Sequence, residues 1–179
     1  MKTNGILLLA LSFIVFCNVN IAKAQTLEET IVYINELLKQ HGYRMPLPQI
    51  VGGNHKPEYD AYDQIEVSDD GKFIMKRTLY YYETKEKKTS SSVTCYLKQI
   101  MYHGTKDFDS YYSVSLKTKG LFDFFLVTSH DDGSTIGRSD TFFLVNSYLV
   151  AQRLTNALKH LIELGEKNPN FLEKDPFDN

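Results

Sequence analysis

Eleven consecutive residues, HDDGSTIGRSD from His130 to Asp140, place a histidine, three aspartates, two serines and an arginine between two runs that are nearly all hydrophobic and aromatic. An imidazole beside a carboxylate is general acid–base machinery. His130 with Asp131 or Asp132, joined by a distant His103, could serve a small hydrolase or ligate zinc. The spacing lends neither any help: there is no His-x-His, no His-Glu-x-x-His, and no two histidines within helical reach. Ser134 and Ser139 lack the Gly-x-Ser-x-Gly elbow that activates a serine. The same stretch lacks the alternating carboxylates and closing glutamate of a calcium loop. Cys95 lies among apolar neighbours, which suits a small hydrophobe and not a thiolate. Asp132-Gly133 is a pair that closes hairpins, and SDDGK at Ser68 to Lys72 repeats nearly the same letters. The stretch is therefore expected to be a polar loop between strands, with His130 the one residue that turn chemistry leaves unexplained. No metal and no cofactor is expected.

Two polar residues interrupt apolar strand faces. Arg77 shares its parity with Phe73, Met75, Leu79 and Tyr81, and Gln99 shares its parity with Val93, Cys95, Leu97 and Met101. They suggest a common polar point, either a buried hydrogen bond or the lining of a cleft, or a bulge that turns them outward. A buried arginine needs a counter-charge, for which Asp123 is available. Around them the chain carries 12 tyrosines, 11 phenylalanines and no tryptophan. Clusters such as Tyr80 to Tyr82 put aromatic rings on both faces of a strand. The second face either lies under the N-terminal helix or forms a groove for an apolar, glycan or peptide ligand, since tyrosine offers a rigid face with a polar tip. The candidate binding residues are Arg77, Gln99, Tyr80, Tyr82, Tyr96 and Tyr102.

The elements that must hold these residues follow from periodicity. Residues 1–24 have a positive start at Lys2, an apolar run from Gly5 to Phe16 and a small-x-small site at Ala22-Lys23-Ala24, the pattern of a signal peptide cleaved after Ala24. The apolar run is too short to span a bilayer, which needs about 20 residues, so no transmembrane helix is expected. Cys17 would be a lipoprotein site only with a small residue before it, and Phe16 is bulky. Export to the periplasm or the exterior follows. The remainder, about 155 residues, suits one domain over 25–168 with an extended tail over 169–179. Removal of Cys17 leaves Cys95 alone, without a disulfide partner. The whole chain has net charge −2, and the leader takes two lysines with it. Neither a basic excess nor a basic stripe is present for nucleic acid.

The segment TLEETIVYINELLKQHG forms a helix from a Thr26/Glu29 capping box to a left-handed stop at Gly42, with Leu27, Ile31, Ile34 and Leu38 inward. Tyr43 to Asp60 is a proline- and glycine-rich connector with an edge strand at Leu47 to Val51. From Tyr62 to Val145 the period is two, giving six to seven strands. Their connections, including the charged ETKEKKTSSS and GTKDFDS, are too short for crossovers, so the sheet is mostly antiparallel. A long amphipathic helix closes the fold, capped at Asn146 or Ser147 and stopped at Gly165. Val150, Leu154, Ala157, Leu158, Leu161 and Leu164 face inward, and Phe171, Leu172 and Phe177 are available to pin the tail. The fold class is α+β: an N-terminal helix, a bent sheet or open barrel, and a C-terminal helix across one end.

That order of elements resembles the pleckstrin-homology-like barrel, which implies phosphate binding by Lys72, Lys76 and Arg77 after the first hairpin turn. The chain departs from that family in having no tryptophan in its closing helix and an extra helix in front. It also resembles small secreted proteins of Bacteroidota through the SDDGK turn and the closing RLTNALKHLIEL helix, motifs that imply structure and no chemistry. The function expected is an exported, non-enzymatic binding domain for a small molecule, glycan or protein, of undetermined oligomeric state. The alternatives are the His130/His103 hydrolase and a structural protein of the cell envelope.

Overall fold

The structure is a computed structural model. It describes residues 26–42, 44–46, 57–81, 84–109, 111–120 and 124–171, with backbone alone for 44–46 and 57–61. The leader with Cys17, the Leu47 to Val51 strand, Tyr82, Asp123, Leu172 and Phe177 lie outside the described residues.

Helix α1 (Leu27–His41) starts as its sequence dictates: the Glu29 amide donates to Thr26 Oγ1 at 3.1 Å and the Thr26 amide donates to Glu29 Oε2 at 2.9 Å. Ile34, Leu37 and Leu38 are buried, and Thr30 is also buried, its hydroxyl turned back onto the Thr26 carbonyl. The end of α1 corrects expectation. Gly42 is not left-handed (φ −53, ψ 133); it continues as extended chain and pairs with Val145.

Nine strands follow among the described residues: β1 (Arg44–Pro46), β2 (Pro57–Val67), β3 (Lys72–Tyr81), β4 (Lys87–Tyr96), β5 (Ile100–Asp107), β6 (Tyr112–Thr118), β7 (Phe125–Ser129), β8 (Thr135–Arg138) and β9 (Asp140–Val145). Every pairing is antiparallel. They form two sheets, β1-β2-β3-β4-β7-β8 and β5-β6-β9, that do not close into a barrel.

The segment expected as one strand from Val93 to Met101 is broken by a 3-10 turn at Leu97–Gln99. That turn cranks the chain from the large sheet into the small one and reverses the strand's parity. Ile100 is therefore fully buried and Met101 is 42% exposed. The serine triplet expected in a loop belongs to β4, and β5 runs through most of GTKDFDS. HDDGSTIGRSD is only half a loop, since Thr135–Arg138 forms β8, exposed at every residue.

Helix α2 (Tyr148–Lys167) is capped by Ser147, whose hydroxyl accepts from the Val150 amide. Gly165 does not stop it. The helix runs on to Lys167, and a Cβ at Gly165 would sit 2.5 Å from Leu97 Cδ2, so the glycine admits the turn between the sheets. Helix α2 packs on β5, β6, the 3-10 turn and α1, while α1 also packs on β2. A single hydrophobic cluster joins Phe73, Met75 and Phe125 of the large sheet with Ile100, Leu116 and Phe143 of the small one and with both helices. Phe171 is buried, as expected of a tail anchor, and its ring lies where a side chain on Gly71 (φ +85) would be.

Candidate functional site

A groove lies where α1 crosses the start of the large sheet. Asn35 stands one position from the apolar stripe of α1. Its side-chain amide donates to the Ile65 carbonyl at 2.9 Å and accepts from the Ile65 amide at 2.8 Å. One side chain thus bonds both backbone groups of Ile65, as a neighbouring strand would, and protects the β2 edge. The groove beside this clasp has a volume of about 800 Å³. Its walls are Asn35, Glu36 and Lys39 from α1, Tyr62, Asp63 and Gln64 from β2, Lys76, Thr78 and Tyr80 from β3, and Lys85 from the turn after β3. That volume falls within the range of small-ligand sites.

The hairpin register places the aromatic floor. Tyr62 opposes Thr78, so Tyr80 is its diagonal neighbour, and the two rings meet edge to face at 5.4 Å and 90°. Tyr62 remains 50% exposed. Lys85 has φ +59, a left-handed backbone uncommon for a residue with a Cβ.

Arg77 has a buried partner, and it is Asp63, directly opposite in the register. Its Nε and Nη2 donate to the two Asp63 carboxylate oxygens at 2.7 Å each, and Nη2 also donates to the Phe142 carbonyl at 2.9 Å. The guanidinium lies 5.3 Å from the Phe142 ring centre. Side-chain exposure is 17% for Arg77 and 8% for Asp63. Burial acts to lower the Arg77 pKa, but the attraction and hydrogen bonds of Asp63 outweigh it and hold the guanidinium above its ordinary value. Arg77 thus ties β2 and β3 to the edge of β9, joining the two sheets.

Of the other expected binding residues, Tyr80 lines the groove, and Gln99, Tyr96 and Tyr102 do not. Gln99 lies in the 3-10 turn, its Oε1 3.8 Å from Cys95 Sγ. Tyr96 ends β4 opposite Lys72. Tyr102 packs toward α2: its hydroxyl is 2.9 Å from Thr105 Oγ1, which is 3.0 Å from Thr155 Oγ1, and Lys159 Nζ lies 4.5 Å from the Tyr102 ring centre. Of the phosphate-binding trio, Lys76 pairs with Glu66 at 2.6 Å on the groove side of β3, while Arg77 faces the other way and is held by Asp63.

The first half of HDDGSTIGRSD, His130 to Ser134, is a turn. The Ser129 amide donates to the Ser134 carbonyl at 2.8 Å, and Gly133 adopts φ +72, matching Gly71 in the earlier SDDGK turn. Asp132 Oδ1 accepts from the Ser134 amide at 3.0 Å, and that bond holds its carboxyl below the ordinary range. Asp131 accepts from the Thr89 hydroxyl, stitching the turn to β4. His130 is exposed and tied to Ser90 through its backbone amide. His103 is the extra residue of a bulge in β5, skipped between the Tyr102–Leu116 and Gly104–Ser115 pairs. It belongs to the small sheet and His130 to the end of the large one. Among the described residues no group of three or more His, Cys, Asp or Glu side chains is placed to hold a metal ion.

Comparison with protein families, with curated proteins and with solved structures finds no match.

Proposed function

We propose that this chain is an exported, non-enzymatic binding domain whose ligand seats in the groove between α1, β2 and β3. The observation that carries the reading is the groove itself: a volume of about 800 Å³ with the half-exposed Tyr62 set edge to face against Tyr80 on its floor. Tyrosine pairs offer broad contact area at small conformational cost, and the surrounding amides and ammonium groups supply orientation. The leader pattern of residues 1–24 supports export. A hydrolase is less favoured, because His103 and His130 occupy different sheets and Asp131 and Asp132 are both engaged in the turn.

A native mass spectrum of protein purified from its own cells tests this. The expected outcome is a co-purifying adduct that disappears in Tyr62→Ala. An adduct unaffected by Tyr62→Ala and Tyr80→Ala, but lost on His130→Ala, would move the site to the β7–β8 turn.

A further inference from the structure

We infer that the groove is one end of a longer site, and that a neutral oligosaccharide runs from it across the outer face of the large sheet; this rests on the binding reading above. The strand registers align Gln64, Lys76, Ser92, Thr128 and Thr135 in one row across β2, β3, β4, β7 and β8. Their chain neighbours Ile65, Met75 and Val93 are buried, so alternation turns the row away from the core. Five strands spaced about 4.8 Å apart make the row about 19 Å long. Gln64 and Lys76 also line the groove, so the row begins inside it. At its far end the Thr128 and Thr135 hydroxyls lie 3.1 Å apart.

The charge balance of this face selects the ligand. Charged residues make up 23% of the chain, and solvent-facing strands ordinarily carry their share. Here β4 presents Ser90, Ser92 and Thr94, and the outward positions of β7 and β8 hold no charged side chain. Lys76, the cation of the row, is paired with Glu66 at 2.6 Å. Hydroxyls and amides both donate and accept, which matches an uncharged ligand covered in hydroxyls. A second copy of the chain would need an apolar centre on this face, and the row is polar throughout. An aromatic ring stands beside each end. Tyr62, 50% exposed, adjoins the row on β2. On β8 the Phe124 side chain lies 3.5 Å from where a Cβ on Gly137 would be, so the glycine leaves room for that ring on the same face. Rings so placed can each take the flat side of a sugar.

Titration calorimetry with cellohexaose, maltohexaose, mannohexaose and chitohexaose, each run beside its disaccharide, tests the row. At least one hexasaccharide should bind about tenfold tighter than its disaccharide, because only the longer chain reaches both rings, and high salt should leave that affinity unchanged. Thr128→Glu puts a charge in mid-row. It should weaken the hexasaccharide about tenfold and leave the disaccharide unaffected, as should Phe124→Ala, whereas Tyr62→Ala weakens both. Thermal unfolding of each variant confirms that it folds. Equal affinity for hexasaccharide and disaccharide, or indifference to Thr128→Glu, overturns the row. Binding of no hexasaccharide overturns the whole inference. A dimer in sedimentation that Thr128→Glu dissociates, without sugar binding, would assign the face to a second copy instead. A Tyr62-dependent adduct in the native spectrum that Thr128→Glu leaves intact would sink the row and keep the groove as a binding site.

Discussion

Arg77 is the residue on which the two sheets most visibly depend. Its guanidinium meets a carboxylate that is 8% exposed and a carbonyl on β9, so removing the cation strands a buried negative charge. Arg77→Met should destabilise the fold by about 3 kcal/mol, with Arg77→Met/Asp63→Asn costing much less than the two single changes together. Urea unfolding of the four proteins measures this, and a single-variant cost below about 1 kcal/mol would mark the pair as an ordinary surface contact. The arginine itself was conspicuous in the sequence, as a charge on an apolar face. Its partner was countable too: with the SDDGK turn centred on Asp70, position 77 falls opposite 63, as Val67 falls opposite Phe73. The same turn carries a pH signature. The Ser68 hydroxyl, which donates to Asp70, holds that carboxyl below its ordinary value of 3.8. Stability from Asp70 is therefore present above pH 3.8 and is lost as pH falls through the lower folded value. Asp70→Asn should flatten the acid limb of the stability curve below that point, measured by unfolding at a series of pH values; an unchanged limb would show that the bond contributes nothing to folding.

At the scale of elements, composition signals located both helices and left two glycines misassigned. The capping box of α1 and the Ser147 cap of α2 act through local bonds, so a few neighbouring letters suffice to identify them. Gly42 and Gly165 also look like helix stops, because a missing side chain permits the left-handed cap. Their use here is decided by distant partners, Val145 and Leu97, which no local pattern reveals. This makes opposing effects measurable at Gly165. Alanine there should gain up to about 1 kcal/mol in helix propensity, yet its Cβ would meet Leu97 at 2.5 Å, and overpacking costs about 1–3 kcal/mol. Gly165→Ala should destabilise the protein, and the same change made in a Leu97→Ala background should cost markedly less. Thermal unfolding of the pair measures the difference, and equal destabilisation in both backgrounds would exclude the Leu97 side chain as the cause. The groove was half legible on the same logic. Tyr80 and Lys76 stood out as members of a patterned strand, whereas Asn35, Glu36 and Lys39 enter only once α1 is laid along β2.

For the whole molecule, the α+β class and antiparallel pairing followed from short connections and a change of period, while the division into two sheets did not. The division is made by Leu97, Lys98 and Gln99, three residues without a glycine or proline to mark a break. Leu97 is 1% exposed at the start of that break, held by α2, so tertiary packing and not local preference bends the chain there. The crank has a consequence for how this sequence can change length. A residue inserted among Ser129 to Ser134 would lengthen an exposed turn and leave every strand in place. One inserted among Leu97 to Gln99 would either rotate β5 by one position, exchanging buried Ile100 for exposed Met101, or push the turn out of its seat against Gly165. Scanning single-alanine insertions with soluble yield as readout should therefore find the first site permissive and the second forbidden. Lineages carrying this fold would then vary in length at the β7–β8 turn and keep a constant count between Cys95 and Ile100.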